Sequence, residues 1–389
     1  MSKLVNALLL TTLASAAASV SAESPMVPTP PAIAAKSYIL MDYYTGQTLV
    51  ELNSNERLPP ASLTKMMTSY IIGQELLKGN IKRDDMVTVS QNAWSKNYSD
   101  SSKMFIEVGK QVSVDDLNKG IIIQSGNDAC VAMAEHIAGS TDSFADMMNT
   151  WATKLGMKDS HFMNPHGLFD DNHYSTAHDM AVLGQALIRD VPEEYKIYSQ
   201  KDFQFNGITQ HNRNRLLWDT SLNVDGIKTG HVSEIGYNLV ASATNKEGMR
   251  LISVVMGTES ERVRADESKK LLTYGFRFFQ TLTPYKAGTE LVNQKIWMGD
   301  KPTVKLGVDK DVAVTITRGQ ADKLKADFQL DSELKAPLTK GQQVGTVSVK
   351  LDGKEIAKAP LVALEEVQEG NLLSRVWDYL MMLIQSLLK

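Results

Sequence analysis

A chain of 389 residues with 43% apolar and 22% charged side chains has room for two or three packed units and is neither disordered nor fibrous. Its 41 basic against 45 acidic residues leave a net charge of -4, without the basic footprint of a nucleic-acid binder. The single cysteine, Cys130, excludes an internal disulfide and any multi-cysteine metal site.

The first residues read as an export signal. Lys3 supplies the positive charge, residues 4–20 form an apolar and small-residue run, and Val20-Ser21-Ala22 is a small-x-small cleavage pattern. The pattern predicts a signal peptide over residues 1–22; as a membrane anchor the run is short and rich in Ala and Ser. A proline-rich lead follows, with Pro25, Pro28, Pro30 and Pro31, and reads as extended chain.

Residues 37–42 and 47–52 are β-rich and flank Tyr43-Tyr44-Thr45-Gly46, which predicts a hairpin. After Pro59-Pro60 a helix is expected from Ala61 towards Leu77. Residues 115–123, 128–137 and 143–155 carry apolar positions at helical spacing. A polar loop spans 159–174, and Thr176 with Asp179 resembles a capping box for a helix ending before Pro192. Residues 237–244 and 249–256 read as a second hairpin, followed by a helix over 267–279. Strands at both ends with helices between them predict an α+β unit built on one antiparallel sheet. Beyond Pro284 short β runs dominate, at 303–306, 312–317, 343–350 and 361–364, with Asp352-Gly353 as a turn. The expected division is 33–284, a small all-β unit over 285–368, and a tail over 369–389.

Three motifs carry chemistry. In Ser62-Leu63-Thr64-Lys65 the hydroxyl and amine share a helical face, and a buried lysine has a lowered pKa suited to a base. Alone the pattern is weak, and Ser332-Glu333-Leu334-Lys335 repeats it as a decoy. Ser125-Gly126-Asn127 sits between helices, where a hydroxyl and a carboxamide can project into a cleft. Lys228-Thr229-Gly230 lies on or beside an edge strand; it offers a cation and a hydroxyl, with Gly230 admitting a substrate backbone. Each triplet alone reads more readily as a loop serine or a solvated strand lysine. All three in this order do not.

Four of the seven histidines, His161, His166, His173 and His178, cluster in the polar loop region. Their spacing matches no compact ligand signature and no H-E-x-x-H is present, so no metal and no other cofactor is expected. Cys130, on an apolar helix, reads as a small buried hydrophobe.

The three motifs together resemble the penicillin-interacting serine D,D-peptidases and serine β-lactamases. "PASLTKMMTSY", "QSGNDACVAMAE", "LNVDGIKTGH", "GYNLVASAT" and "ESKKLLTYGFRFF" resemble D-alanyl-D-alanine carboxypeptidases of the penicillin-binding protein 5/6 type. The resemblance implies a β-lactamase/transpeptidase-like catalytic domain, a small β domain and removal of the terminal D-alanine from peptidoglycan stems, with β-lactams as covalent inhibitors. By the same resemblance Ser62 is the nucleophile, Lys65 its base, and Ser125 with Lys228 a proton relay. Asn127 holds the substrate amide, and the N–H groups of Ser62 and His231 form the oxyanion hole. Thr229 and Arg264 take the terminal carboxylate, with Arg262 as the alternative arginine and Arg213 in support. The stretch "AWSKNYSDSSKMF" is shorter than the family's usual cleft-side loop, which touches on substrate preference. A class A β-lactamase would carry a Glu-x-x-Leu-Asn loop, absent between Asp159 and Asp179, and a non-enzymatic envelope scaffold would not need the full set.

In the tail, Asn371, Ser374, Arg375, Asp378, Gln385, Ser386 and Lys389 line one helical face. Leu372, Leu373, Val376, Trp377, Leu380, Leu383, Ile384, Leu387 and Leu388 line the other. Arg375 and Asp378 exclude a membrane span, leaving an amphipathic helix that lies in a membrane interface or docks on the β unit. The family's comparable tail implies the first: a peripheral anchor on the periplasmic side of the inner membrane.

Overall fold

Ser37–Asp42 and Thr48–Leu52 pair as the expected hairpin. The computed structural model describes residues 27–388, so the signal-peptide expectation for residues 1–22 lies outside the described residues. Arg250–Thr258 returns from the far end of the unit to pair with Ser37–Asp42, Gly236–Thr244 pairs with it, and Asn223–Val232 forms the edge. The result is one five-stranded antiparallel sheet assembled from both ends of the unit, as the order of elements predicts.

Both faces of this sheet are covered. Leu40, Leu239 and Leu251 pack against Leu271, Leu272 and Tyr274 of the helix Glu261–Phe278. On the other face Ile39, Val240, Ile252 and Val254 meet Met66, Met67 and Met180 of the helices Lys65–Lys78 and Ala177–Asp190. Double coverage explains why Gly236–Thr244 reads as an unbroken small and apolar run rather than an alternating one. A second helical core gathers Ile72, Met104, Ile121, Val131 and Met133.

Local chemistry sets the helix starts. Thr176 Oγ1 accepts the Asp179 N–H at 3.0 Å, as the capping pattern predicts. Ser260 caps the helix Glu261–Phe278, whose first turn begins ahead of the expected position 267. Its opening residues Glu261, Arg262 and Arg264 are charged, so apolar periodicity does not mark them. The Asn206-Gly207 turn, with φ 49° and 75°, joins Asp202–Phe205 to Ile208–His211 in a hairpin that the sequence reading missed, although the Asn-Gly pair between alternating residues was the available signal.

From Phe279 to Ala363 the chain is built of strands, with one short 3-10 turn at Ala321–Lys323. Five strands pair antiparallel in the order Glu290–Lys295, Thr303–Gly307, Lys354–Ala363, Gln343–Leu351, Leu324–Leu330. Asp352 and Gly353, with φ 49° and 81°, make the expected tight turn. Phe279–Tyr285 pairs with Val312–Thr317 rather than with the first sheet, so sheet membership changes at Phe279, ahead of Pro284. The two units touch where Thr45 Oγ1 and Thr315 Oγ1 lie 2.6 Å apart and where Thr281 Oγ1 donates to Asp42.

The tail is a single helix, Leu372–Leu388. Its polar side meets the β unit through Asp378, whose Oδ2 accepts the Met298 N–H at 2.6 Å, while Arg375 pairs within the tail with Glu369 at 2.5 Å. Its apolar side is open to solvent, with Leu373 86% and Trp377 64% exposed. Among the described residues no helix is long and apolar enough to cross a membrane.

Candidate active site

Ser62 and Lys65 do not share an α-helix. Ala61–Thr64 is one 3-10 turn, and the α-helix begins at Lys65. Residues at i and i+3 eclipse in such a turn, so the two side chains still meet. Lys65 Nζ donates to Ser62 Oγ at 3.0 Å, to Asn127 Oδ1 at 2.7 Å and to the His166 carbonyl at 2.6 Å. The amine is completely buried, and burial pushes its pKa down to about 8. Such a group can take up and return a proton near neutrality.

A second lysine and serine face this pair. Ser125 closes the wide π-type turn Gly120–Gln124 in the left-handed conformation, with φ 60°. Lys228, on the edge strand Asn223–Val232, donates from Nζ to Ser125 Oγ at 3.0 Å and to the Thr229 carbonyl at 3.1 Å. Burial, reinforced by the nearby Lys65 cation, holds the Lys228 pKa well below its ordinary value. Asn127 opens the following helix and links the two walls, its Nδ2 donating to Ser101 Oγ at 2.8 Å.

The glycines fix how closely the walls approach. A Cβ at Gly230 would stand 2.8 Å from the Pro60 carbonyl and 3.2 Å from Ser62 N. The sequence reading assigned Gly230 to a substrate backbone; the close neighbour in the fold is the Ser62 turn itself. His231, the next residue, is exposed and stacks on Tyr237 with ring centroids 4.0 Å apart. Gly167 has φ +85°, and a Cβ there would lie 1.9 Å from the Ala61 carbonyl, so a side chain would displace the loop that brings His166 O to Lys65.

The arginines separate by environment. Arg264 is 2% exposed, and its Nη1 donates to the Gly230 carbonyl at 3.2 Å. Its Nη2 has no hydrogen-bond partner and stands 3.7 Å from Glu261, while burial pushes the guanidinium pKa down to about 10. Arg262 points outward to an ion pair with Asp266 at 3.0 Å. Arg213 sits exposed on the rim, with Nη1 donating to Ser102 Oγ at 2.6 Å. Ser62, Ser125, Asn127, Thr229, Gly230, His231, Arg213 and Arg264 all line one cleft of about 800 Å³, with Lys65 and Lys228 buried behind the serines. Ser332 and Lys335 lie exposed in the β unit, outside it.

Two supports escaped the sequence reading. Asp128 is buried and accepts the N–H groups of Met104 at 2.8 Å, Ile106 at 3.2 Å and Ala129 at 2.9 Å. It thereby holds the segment that presents Ser101 and Ser102 to the cleft; its place beside Asn127 was the available signal. His166 contributes through its backbone carbonyl, which no side-chain pattern reveals. The other loop histidines disperse: His173 meets Thr64 Oγ1 at 2.8 Å, His161 the Asn172 carbonyl at 2.8 Å, and His178 Asp179 at 3.3 Å. Cys130 is buried, which pushes its thiol up to about 12.

Comparison with known proteins decides the family. The sequence pattern of D-alanyl-D-alanine carboxypeptidase matches residues 24–260, and that of the penicillin-binding protein 5 C-terminal domain matches 279–369. The chain belongs to the D-alanyl-D-alanine carboxypeptidase family. It is 55% identical to D-alanyl-D-alanine carboxypeptidase DacA of Escherichia coli over 359 residues, covering 91% of this chain and 89% of that one. DacA of Haemophilus influenzae is 52% identical over 360 residues, with 92% of each chain covered. The crystal structure of penicillin-binding protein 5 from Haemophilus influenzae superposes with a TM-score of 0.84 at 54% identity, over 88% of this chain and 100% of that one. The family resemblance read from the motifs, and the α+β catalytic unit followed by an all-β unit, both hold. The match to the C-terminal domain begins at Phe279, where sheet membership changes.

Proposed function

We propose that this cleft removes the terminal D-alanine from peptidoglycan stem peptides through an acyl-enzyme on Ser62. Neutral Lys65 takes the Ser62 proton as Oγ attacks the carbonyl of the penultimate D-alanine. The N–H groups of Ser62 and His231 stabilise the oxyanion where charge develops. Lys228 and Ser125 pass a proton to the departing amine, the C–N bond breaks and D-alanine leaves. Water then attacks the Ser62 ester, releasing the shortened peptide and restoring the hydroxyl. Asn127 holds the substrate amide, Thr229 and Arg264 hold the terminal carboxylate, and Arg213 supports the rim. The observation that carries the reading is the buried Lys65 amine, 3.0 Å from Ser62 Oγ and with a pKa near 8. A β-lactam carbonyl presents the same electrophile, so such drugs are expected to acylate the same serine. Incubation with a peptide ending in D-Ala-D-Ala should release free D-alanine at catalytic rates. Penicillin hydrolysis outpacing D-alanine release would favour a β-lactamase instead.

The export-signal pattern of the sequence and the amphipathic tail support a location on the periplasmic side of the inner membrane. The exposed Leu373, Val376, Trp377, Leu380, Leu383 and Leu387 face suits burial in a lipid interface. Residues 369–389 then serve as a peripheral anchor, and the β unit over 285–368 as a stalk that lifts the catalytic unit over 33–284 towards the wall. Deleting residues 371–389 should free the protein into the soluble periplasmic fraction while D-alanine release from soluble peptides persists. Retention of the truncated protein on membranes would remove the anchor reading.

A further inference from the structure

The three neighbours of Lys65 Nζ are not equivalent. Asn127 Oδ1 at 2.7 Å and the His166 carbonyl at 2.6 Å can only accept, whereas Ser62 Oγ at 3.0 Å can also donate. A neutral amine has two N–H bonds and one lone pair. With both N–H bonds spent on the two carbonyl oxygens, the lone pair is left for the Ser62 hydroxyl. Proton transfer from Ser62 therefore depends on where those two oxygens are held. Asn127 is oriented by its own bond to Ser101. The His166 carbonyl lies on the polar loop, far from Lys65 in sequence, and needs a tie between that loop and the Ser62–Lys65 turn.

His173 supplies the tie. Its ring is only 3% exposed, and its Nδ1 accepts the N–H of Met163, just ahead of His166 in the loop, at 3.2 Å. A backbone N–H only donates, so the proton of the neutral imidazole is on Nε2, which donates to Thr64 Oγ1 at 2.8 Å. Burial lowers the ring pKa to about 4, so the neutral form prevails near pH 7. Thr64 stands fully buried between Ser62 and Lys65 in the 3-10 turn. One helical turn on, Thr68 Oγ1 donates to the Pro165 carbonyl at 2.6 Å, so the same loop segment is held on both sides of His166. We infer that His173 is a positioning residue for acylation: by joining Met163 to Thr64 it sets the His166 carbonyl against Lys65 and so aims the lysine lone pair at Ser62. This role rests on the acyl-enzyme reading with Lys65 as base, and His173 itself touches neither substrate nor the reacting atoms.

The test separates the acylation rate constant of benzylpenicillin from its dissociation constant before the covalent step. His173→Leu should lower the rate constant by about tenfold, the scale of a small misplacement of a catalytic group, and leave the dissociation constant unchanged. His173→Gln, whose amide nitrogen reaches the position of Nε2, should recover most of the rate; His173→Asn, which reaches only the Nδ1 position, should not. Thr64→Val removes the acceptor at the other end of the same bond and should match His173→Leu, and the double variant should lose no more than either alone. The valine variant keeps the test decisive should the leucine variant not fold. An unchanged rate constant in either variant, a loss confined to the dissociation constant, or fully additive losses would overturn the role of His173 while the unaltered protein is still acylated. Failure of the unaltered protein to be acylated would instead remove the acyl-enzyme reading, and the role of His173 with it.

Discussion

Replacing Lys65 with alanine should slow acylation of Ser62 by at least about a hundredfold, the usual scale for loss of a positioned general base. The geometry leaves little redundancy: Lys65 Nζ is the amine bonded to Ser62 Oγ, while Lys228 is bonded to Ser125. The pH dependence has a definite sign. Burial pushes the Lys65 pKa down to about 8, and the proposed mechanism needs the neutral amine as base, so acylation should rise with pH through that value. The same depression makes the unfolded chain bind the extra proton between about 8 and the ordinary 10.5, so Lys65's contribution to stability increases across that window. Stopped-flow β-lactam labelling of the two proteins over pH checks the rate and its pH dependence, and denaturant unfolding over the same range checks the stability. A Lys65→Ala variant acylated at the original rate would remove the base assignment.

Arg264→Ala should raise KM for D-Ala-D-Ala peptides by roughly ten- to a hundredfold, the range of a charge-assisted hydrogen bond made in a buried setting. Its Nη2 is buried without a hydrogen-bond partner, which leaves a donor ready for a carboxylate oxygen. Acylation by a β-lactam should fall less, because the ring nucleus supplies other contacts. Arg264→Lys should recover part of the loss through charge alone, without the planar fork. Steady-state kinetics with a soluble tripeptide give the comparison. Unchanged peptide kinetics would move carboxylate recognition to Arg213.

Much of this site was legible because its chemistry depends on residue types at fixed spacings. Ser62 and Lys65 meet in a 3-10 turn as readily as in an α-helix, so the spacing survived an error about the element. Lys228 was placed on an edge strand because Asn223–Val232 precedes an unmistakable hairpin. What the sequence hid is mostly backbone. The His166 carbonyl on Lys65 and the contact between Gly230 and the Ser62 turn leave no side-chain signature. Asp128 was hidden for another reason: a carboxylate at a helix start has an ordinary local explanation, and its grip on Met104 and Ile106 joins distant segments. In the β unit, Glu290–Lys295 has no apolar alternation, so period-two reading passes over it, whereas Leu324–Leu330 does alternate, with Leu324, Ala326, Phe328 and Leu330 on one side, and its signal went unread. Arg264 lines the cleft and Arg262 does not because the register set by one helix cap, Ser260, turns the first inward and the second out.

The central claim is that Ser62 is the nucleophile. Its most direct test is intact-mass analysis of the protein after brief exposure to benzylpenicillin, followed by peptide mapping. A single penicilloyl adduct on the peptide containing Ser62, lost in Ser62→Ala, is the expected result; an adduct on Ser125 or Ser332, or none, would contradict it.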